Sequence, residues 1–249
     1  DTLLTRQPRL PVRLHRPYLA VNFSRHQVLD ALRYHYTLLS EAMSSEEFAT
    51  YLNTQALPLA QIEGKNGDTY TLELTMQINL DKEGDSTILM RNADGDVLAE
   101  MTFTLLNYHD QRTLFIGGLQ GGKRTLPHEA IQNATKSCHG LFPKRLVMEA
   151  ICRLAERLHV EQILAVSNDV HIFRGERYQD KNKKILSDYD TFWEAVSGER
   201  DNEGYYHIPV AIPRKDIAEI ASKKRAEYRR RYELMDAIQT QMSGLFNRP

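Results

Sequence analysis

Cysteines and long apolar runs are scarce in this sequence, and each scarcity excludes a class of protein. Cys138 and Cys152 are too few among 249 residues for a disulfide framework, so we expect two free thiols in a reducing compartment. No apolar run approaches the roughly 18 residues that a membrane span requires. The first residues carry no signal peptide, although residue 1 is Asp1 and not an initiator methionine. The expectation is a soluble, cytoplasmic protein.

The sequence also lacks an excess of charge of either sign. It has 32 basic and 33 acidic residues, and it contains no nucleic-acid-binding motif, so we expect no nucleic-acid partner. A hydrophobic content of 41% supports a sizeable core. We expect a single domain over 1–249, with an N-terminal arm and helices in 1–60, a sheet with a crossover helix in 68–213 and a C-terminal helix in 214–242.

The first part of the chain predicts an arm followed by helices. Three prolines within 1–23 favour an extended arm. Ser24 begins a capping-box pattern, and apolar residues at helical spacing predict an amphipathic helix over 25–43. Ser44 begins a second capping pattern and a short helix, and the helical section is expected to end at 57–59.

Alternating apolar and polar residues then predict a sheet. Four stretches form an expected antiparallel meander: 70–80 and 99–105, where apolar and polar residues alternate, together with 86–92 and with 113–117, which contains an apolar run. After a polar connection, a helix over about 144–158 and an apolar run at 163–166 follow, so the fourth and fifth strands should be parallel neighbours. The predicted fold class is therefore α+β with a central mixed β-sheet. Beyond it we expect a charged stretch at 174–184, a short helix bearing Trp193 and an edge strand at 205–212.

Ligands in such sheets gather where parallel strands end in loops, so we look for function after the fourth and fifth strands. The segment 117–122 holds four glycines, and its open amides favour an anion or a closely packed ligand. The alternative is a bulge or turn that leaves a strand. The candidate ligand-binding residues in this segment are Gly117, Gly118, Gln120 and Gly121.

Polar side chains follow the fifth strand. Ser167 and Asn168 end it, and His171 comes three residues later. His171 can act as a general base or a metal ligand, and Asp188 or Asp190 can orient it or share the metal. Alternatively, His171 packs in a loop while both aspartates cap the following helix. The candidate catalytic residues are His171, Asp188 and Asn168, with Ser167 and Asp190 as candidate ligand-binding residues.

We expect one shared cleft with Trp193 buried beneath it. The residues expected to line this cleft are Gln120, Asn168, His171 and Asp188. His139 and Lys144 are further candidate ligand-binding residues. His139 would supply the second histidine of a non-haem iron site, or it is a hydrogen-bonded structural histidine. The sequence does not specify a metal.

The segment 214–231 carries eight basic residues against three acidic ones. A basic amphipathic helix of this kind can lie on an anionic membrane or bind phosphates. Alternatively, it is a solvated face over an ordinary buried stripe. Peripheral membrane contact through this segment is one expectation for a partner.

Five motifs resemble those of the VirK/YbjX family of Gram-negative bacteria, in the order of that family and across about 10–240. They are LFIGGLQG at 114–121, HGLFPK at 139–144, AVSN at 165–168 before His171, DYDTFW at 188–193 and EYRRRY at 227–232. The resemblance implies a link with virulence, envelope stress and tolerance of antimicrobial peptides, and it implies no settled biochemical activity.

The predicted fold also resembles acetyltransferases of the GNAT superfamily, in which a fourth strand leads into a loop, a helix and a fifth strand. In those enzymes a glycine-containing loop and the helix N-terminus hold the pyrophosphate of the donor. This chain departs from that pattern, because Gly140 is the only glycine between Cys138 and Met148 and Pro143 offers no N–H. For a transferase we therefore expect an acyl thioester as the donor, and we do not expect the coenzyme A pattern of binding.

Two classes of function follow. The first is a transferase that moves an acyl or similarly activated group, with a small-molecule, peptide or lipid-related substrate. The second is a non-enzymatic factor that binds a partner or lipid surface through its basic helix. A histidine- and aspartate-dependent iron oxygenase is a third.

Overall fold

A computed structural model describes residues 2–122, 125–178 and 188–246. Within these residues the helices are α1 (Thr2–Arg6), α2 (Arg25–Ala42), α3 (Ser45–Leu52), α4 (His128–Ser137), α5 (Pro143–Arg157), α6 (Tyr189–Ala195) and α7 (Arg225–Met242). The strands are β1 (Leu57–Glu63), β2 (Thr69–Thr75), β3 (Ser86–Asn92), β4 (Val97–Tyr108), β5 (Gln111–Gly121), β6 (Gln162–Val166), β7 (Glu199–Arg200) and β8 (Tyr205–Ile208).

All of these strands lie in one sheet, in the order β1-β2-β3-β4-β5-β6-β8-β7. The β5 and β6 strands are parallel, with Thr113 opposite Gln162 and Ile116 opposite Ala165. The other neighbouring pairs are antiparallel. The predicted α+β class, its mixed sheet and the parallel pair around the crossover helix are therefore confirmed.

Helices cover both faces of the central strands, since β4 and β5 are buried on both sides along most of their length. The α2 helix packs against β4, and α5 packs against β3, β4 and β5. The α7 helix lies on α5 and β1. The core therefore consists of two layers of apolar side chains with the sheet between them.

Two helix starts follow directly from local sequence. The Ser24 hydroxyl accepts a hydrogen bond from Gln27 N, and the Gln27 side chain accepts one from Ser24 N. Ser44 and Glu47 make the same reciprocal pair at the start of α3. Both predicted capping boxes are confirmed, because each needs only residues three positions apart.

The N-terminal third differs from the expectation in three places. Residues 2–16 are not an extended arm, since α1 and a 3-10 helix at Leu10–His15 fold there. The stretch expected to end the helical section is the edge strand β1, and Pro58 is tolerated there beside a β-bulge. The strand predicted at 70–80 ends at Thr75.

Three further boundaries differ from the expectation. The polar connection before the crossover helix contains α4. The predicted edge strand is shorter than 205–212, and as β8 it lies between β6 and β7. The C-terminal helix starts at Arg225 and not at 214, because Arg225 donates to the carbonyls of Ala218 and Ile220 and closes a turn there. Residues 179–184 of the predicted charged stretch lie outside the described residues.

Cys138 and Cys152 are free and buried, as expected. Burial raises the pKa of each thiol to about 12. Within the described part of the chain, no helix combines the length and the apolar character needed to cross a bilayer.

Candidate functional site

The strands β5 and β6 separate after a short parallel pairing, and we call the space beyond it the strand gap. The pairing ends at Ile116 and Ala165. Past this point β5 continues alone against β4, with a bulge at Gly117. The glycines of 117–121 therefore belong to a bulged strand, which is the alternative given above, and not to an open ligand-binding loop.

Glycine is needed in this strand because another segment crosses it closely. A Cβ atom on Gly117 would overlap the Glu83 carbonyl oxygen and would lie 3.1 Å from the Leu19 carbonyl oxygen. A Cβ atom on Gly118 would lie 2.6 Å from Glu83 Oε2. The first two glycines thus admit the backbone and side chain of Glu83.

Glu83 meets His171 in the strand gap, and both residues are almost fully buried, at 2% and 1% exposure. The Phe173 amide donates to His171 Nδ1 at 3.2 Å, so Nε2 carries the proton of the neutral ring. His171 Nε2 lies 2.8 Å from Glu83 Oε1 and donates to it. Gln120 Nε2 donates to the other Glu83 oxygen at 3.1 Å. Both Glu83 oxygens are therefore held by hydrogen bonds.

Tyr189 completes this arrangement, and we call Glu83, Gln120, His171 and Tyr189 the gap cluster. The Leu119 amide donates to the Tyr189 hydroxyl oxygen at 3.0 Å. The same oxygen lies 3.5 Å from His171 Nε2. Burial, together with the nearby Glu83 carboxylate, raises the pKa of Tyr189 well above its ordinary value. Tyr189 is thus a protonated hydroxyl placed against a backbone amide.

The predicted residues after β6 hold the segment that carries Tyr189. Asp188 and Asp190 were expected to orient His171, but their hydrogen bonds go to other groups. Asn168 Nδ2 donates to Asp188 Oδ1 at 3.1 Å, and the Asn168 amide donates to Asp190 Oδ1 at 2.7 Å. Asn168 Oδ1 accepts from the Tyr189 amide at 3.1 Å. Asp188 caps α6 by accepting from the Thr191 amide and hydroxyl, and these bonds lower the pKa of its carboxyl.

The expectation of a shared cleft is therefore met only in part. Gln120 and His171 meet at Glu83, whereas Asn168 and Asp188 form a separate layer against the start of α6. Trp193 is fully buried, as expected, and its indole donates to the Val166 carbonyl at 2.8 Å. The carboxylate that reaches His171 is Glu83, and the sequence patterns did not indicate it.

The remaining predicted residues divide between this region and another. The Ser167 hydroxyl is buried, with no hydrogen-bond partner among the described residues. Lys144 Cε lies 3.6 Å from where a Cβ on Gly121 would stand, and burial lowers the pKa of Lys144. His139 lies instead beside α7, where its carbonyl accepts from Arg231 Nε at 2.6 Å. Across the described ranges, no three His, Cys, Asp or Glu side chains converge as metal ligands, so the two histidines do not form the iron set considered above.

Glu83 belongs to a buried acidic segment, 81–86, that follows the predicted strand at 70–80. Asp81 and Asp85 are its other buried carboxylates, and Asp85 accepts from the hydroxyls of Tyr18 and Tyr36. Arg13 Nη2 lies 2.9 Å from Asp85 Oδ1. Asp81, Glu83 and Asp85 recur at every second position between two strands, and this charge pattern was the available signal.

A buried histidine extends the hydrogen bonds of the acidic segment. The Leu105 amide donates to His35 Nδ1 at 3.0 Å, so His35 Nε2 carries the proton and faces Tyr51 and Ser86. Burial lowers the pKa of His35 to about 4, and Arg13 contributes in the same direction. The ring is therefore neutral at pH 7.

The basic segment 214–231 is less free than the sequence suggested. Arg214 Nη1 pairs with Asp236 at 2.7 Å, Arg225 caps two carbonyls and Arg231 pairs with Glu227. The basic residues of the segment that remain exposed without a described partner are Lys215, Lys223, Lys224, Arg229 and Arg230. These five can contact an anionic surface without breaking a described hydrogen bond or ion pair.

Comparisons with known proteins give a family and no activity. A family model described as "Protein of unknown function (DUF535)" matches residues 1–244. A protein of Escherichia coli (strain K12) named "Uncharacterized protein YbjX" is 68% identical over 246 residues, which are 99% of this chain and 74% of that protein. An "Uncharacterized protein" of Haemophilus influenzae (strain ATCC 51907 / DSM 11121 / KW20 / Rd) is 31% identical over 218 residues, which are 87% of this chain and 70% of that protein.

Proposed function

This chain belongs to the DUF535 family, as the resemblance to VirK/YbjX proteins predicted, and we propose that it is an acyltransferase whose reacting groups are those of the gap cluster. The observation that carries this proposal is the placing of a carboxylate, a histidine, a tyrosine hydroxyl and a backbone amide together between two diverging parallel strands. Buried ionisable groups that converge on one point are the usual mark of a catalytic site. The strand order around the crossover helix agrees with the GNAT-like arrangement, which is part of the proposal.

Each group has a role in acyl transfer from a thioester to an amine or hydroxyl. Glu83 takes the proton of the attacking group, while His171 and Gln120 position its two oxygens. The Leu119 amide, once Tyr189 releases it, donates to the carbonyl oxygen as negative charge develops there. Tyr189 gives its proton to the departing sulfur. The carbon–sulfur bond breaks as the bond to the acceptor forms. His171 Nε2 contacts both Glu83 and Tyr189. It gives its proton to the Tyr189 oxygen and takes the proton that Glu83 gained, which restores the starting state.

Substrate access in this scheme depends on Tyr189. The gap cluster is closed, since His171 and Glu83 are almost fully buried, and the Tyr189 hydroxyl occupies the Leu119 amide. A substrate carbonyl therefore has to replace the hydroxyl of Tyr189 at that amide. The Asn168, Asp188 and Asp190 contacts set the resting position of this side chain.

The residues before α5 do not fit the pyrophosphate of coenzyme A. Pro143 has no amide proton, and the amides of Arg145 and Leu146 both donate to the Phe142 carbonyl at 2.9 and 3.2 Å. An open group of N–H donors, which a diphosphate requires, is therefore missing at this helix start. We accordingly assign the donor as an acyl thioester that is recognised through its acyl and pantetheine parts.

The test uses a synthetic acyl-pantetheine as the donor and a total metabolite and lipid extract as the source of acceptors. The released thiol is measured with a thiol reagent. We expect the wild type to release thiol and to transfer a labelled acyl group to a component of the extract. Glu83→Gln should reduce the rate by about 10²-fold or more, as loss of a general base does. Tyr189→Phe should reduce it as well.

Glu199→Gln is the matched control, because it makes the same change at an exposed position on β7. It should retain the wild-type rate, and thermal unfolding should show that each variant is folded. The proposal fails if the wild type transfers nothing and gains no thermal stability from the thioester, or if Glu83→Gln keeps full activity. The setting in envelope stress, antimicrobial-peptide tolerance and virulence is part of the proposal and is tested by complementing a deletion strain with the same variants.

A further inference from the structure

A second polar site lies on the other side of the acidic segment, and we call it the arginine cleft. Its volume is about 390 Å³. Arg6, Arg9 and Arg13 line it from the N-terminal arm, and Asn53 and Gln77 line it from the end of α3 and from the turn after β2. Asp81 and Asp85 also line it. Three arginines thus line one concave region.

The carboxylates of the cleft are already neutralised. Arg13 pairs with Asp85 at 2.9 Å, and Arg16 pairs with Asp81 at 2.6 Å. These ion pairs are buried, so they are weakly screened and hold their partners firmly. An incoming ligand therefore meets no uncompensated negative charge from these two aspartates.

The other two arginines keep donors for a ligand. Arg6 gives one N–H to the Ala49 carbonyl at 3.3 Å, and Arg9 has no ion pair among the described residues. Both side chains are exposed. The amide groups of Asn53 and Gln77 likewise show no side-chain hydrogen bond within the described ranges. The cleft thus presents an excess of N–H donors and of positive charge.

We propose that the arginine cleft binds the phosphate group of a phosphorylated ligand, with Arg6 and Arg9 as its main contacts. Guanidinium groups present pairs of N–H donors that match phosphate oxygens, and two of them balance the charge of a phosphate monoester. Asn53 and Gln77 supply neutral donors to the remaining oxygens. This proposal does not rest on the proposed acyl transfer, since the arginine cleft shares no residue with the gap cluster.

The phosphate can belong to a free metabolite or to a lipid headgroup. An apolar groove of about 500 Å³ lies along the same N-terminal arm and is lined by Leu10, Leu14, Leu32 and Phe48 among others. A phospholipid would use this groove for a chain, whereas a free phosphate ester would leave it empty. The two sources therefore differ in whether an acyl chain increases the affinity.

The test is calorimetric titration at low salt with three probes: inorganic phosphate, glycerol 3-phosphate and monomeric dihexanoyl phosphatidic acid. We expect binding of at least one phosphate ester, with an affinity that falls as salt is raised. Arg6→Ala/Arg9→Ala should weaken it by about tenfold or more, because charge-assisted hydrogen bonds are lost. Arg25→Ala/Lys136→Ala is the control, since it removes two exposed basic side chains, one from α2 and one from α4, and it should bind as the wild type does.

Each outcome decides the proposal. Equal affinity for both esters supports a free phosphate ester as the ligand, and a clear gain with phosphatidic acid supports a lipid headgroup. The proposal is overturned if neither ester binds, or if the arginine double variant binds as well as the wild type. Arg6 would then serve only to hold the arm against α3, through its bond to the Ala49 carbonyl.

Discussion

The bulged strand β5 allows the close packing at Gly117 to be tested by one methyl group. In Gly117→Ala the added Cβ would overlap the Glu83 carbonyl oxygen and would lie 2.9 Å from the Glu83 carbonyl carbon. These are backbone atoms, so they cannot turn aside as a flexible side chain can. The acidic segment must therefore move away from the strand.

The size of the effect follows from packing. Inserting a methyl group into a well-packed region costs about 1–3 kcal/mol, and we expect the upper part of this range because two backbones are in contact. Gly121→Ala is the control, since its Cβ would lie 3.6 Å from Lys144 Cε, an ordinary contact. That substitution should be neutral, or stabilising by about 0.4–1 kcal/mol through the unfolded chain.

The measurement is urea unfolding of the wild type and both variants, with thermal unfolding as a check. In a chain of this size each kcal/mol shifts Tm by about 2–4 °C. Gly117→Ala should lower the midpoint at an unchanged m-value, and Gly121→Ala should not lower it. Equal midpoints for the two variants would refute the argument, and the glycines would then be free to serve as amide donors to a ligand.

Three further predictions follow from other parts of the chain. Trp193→Ala should lower the free energy of unfolding by about 3–5 kcal/mol in urea titrations, because it empties a fully buried site and removes the hydrogen bond to Val166. A loss below 1 kcal/mol would contradict the role of Trp193 as buried support for the candidate site. Burial lowers the pKa of His35 to about 4, below the ordinary 6.5, so the unfolded chain takes up a proton first as pH falls. The contribution of His35 to the free energy of unfolding is present above pH 6.5 and is lost towards pH 4, by roughly 3 kcal/mol. Between pH 7 and 4.5, His35→Gln should therefore lose less free energy of unfolding than the wild type. An equal loss in both proteins would exclude His35 as the cause. If the C-terminal segment binds anionic membranes, changing Lys223, Lys224 and Arg229 to Glu should abolish sedimentation with acidic vesicles. Each basic residue near such a surface contributes about 1 kcal/mol of binding free energy. Failure of the wild type to sediment at low salt would contradict membrane binding by this segment.

The parts of the fold that the sequence predicted are those set by neighbours along the chain. The capping boxes at Ser24 and Ser44 need residues three positions apart, and the alternation at 70–75 in β2 and at 99–105 in β4 needs only every second residue. The parallel pair β5 and β6 followed from the crossover helix between them. These features depend on local sequence, so one sequence is enough to predict them.

The elements that the sequence did not predict are those where the local sequence favours a different conformation from the one observed. Pro58 argued against a strand, yet β1 is an edge strand that tolerates it. The prolines of the arm argued for extended chain, yet a proline at the first turn also suits a helix start, as at Leu10–His15. In both cases the outcome depends on what the segment packs against, which the sequence does not show.

The sequence predicted the position of His171 in the fold, but it did not predict which carboxylate His171 contacts. His171 does face the glycine strand, but its partner Glu83 lies 88 positions earlier in the chain. Asp188 and Asp190 were nearer in sequence and were therefore expected in that role, whereas the structure uses them to hold Asn168 and α6. Proximity in sequence favoured the wrong carboxylates, because the pairing is set by the tertiary approach of the acidic segment to β5.

The acidic segment is also what connects the two sites. Asp81 and Asp85 pair with Arg16 and Arg13 of the N-terminal arm, while Glu83 between them turns towards the strand gap. A shift of this segment would therefore change the arginine cleft and the gap cluster together. Glu83→Gln changes one oxygen inside the gap, and Arg6→Ala/Arg9→Ala changes only the exposed arm. These two variants can thus separate the functions of the two sites, whereas substitutions at Asp81 or Asp85 cannot, because they would release the arm and disturb both.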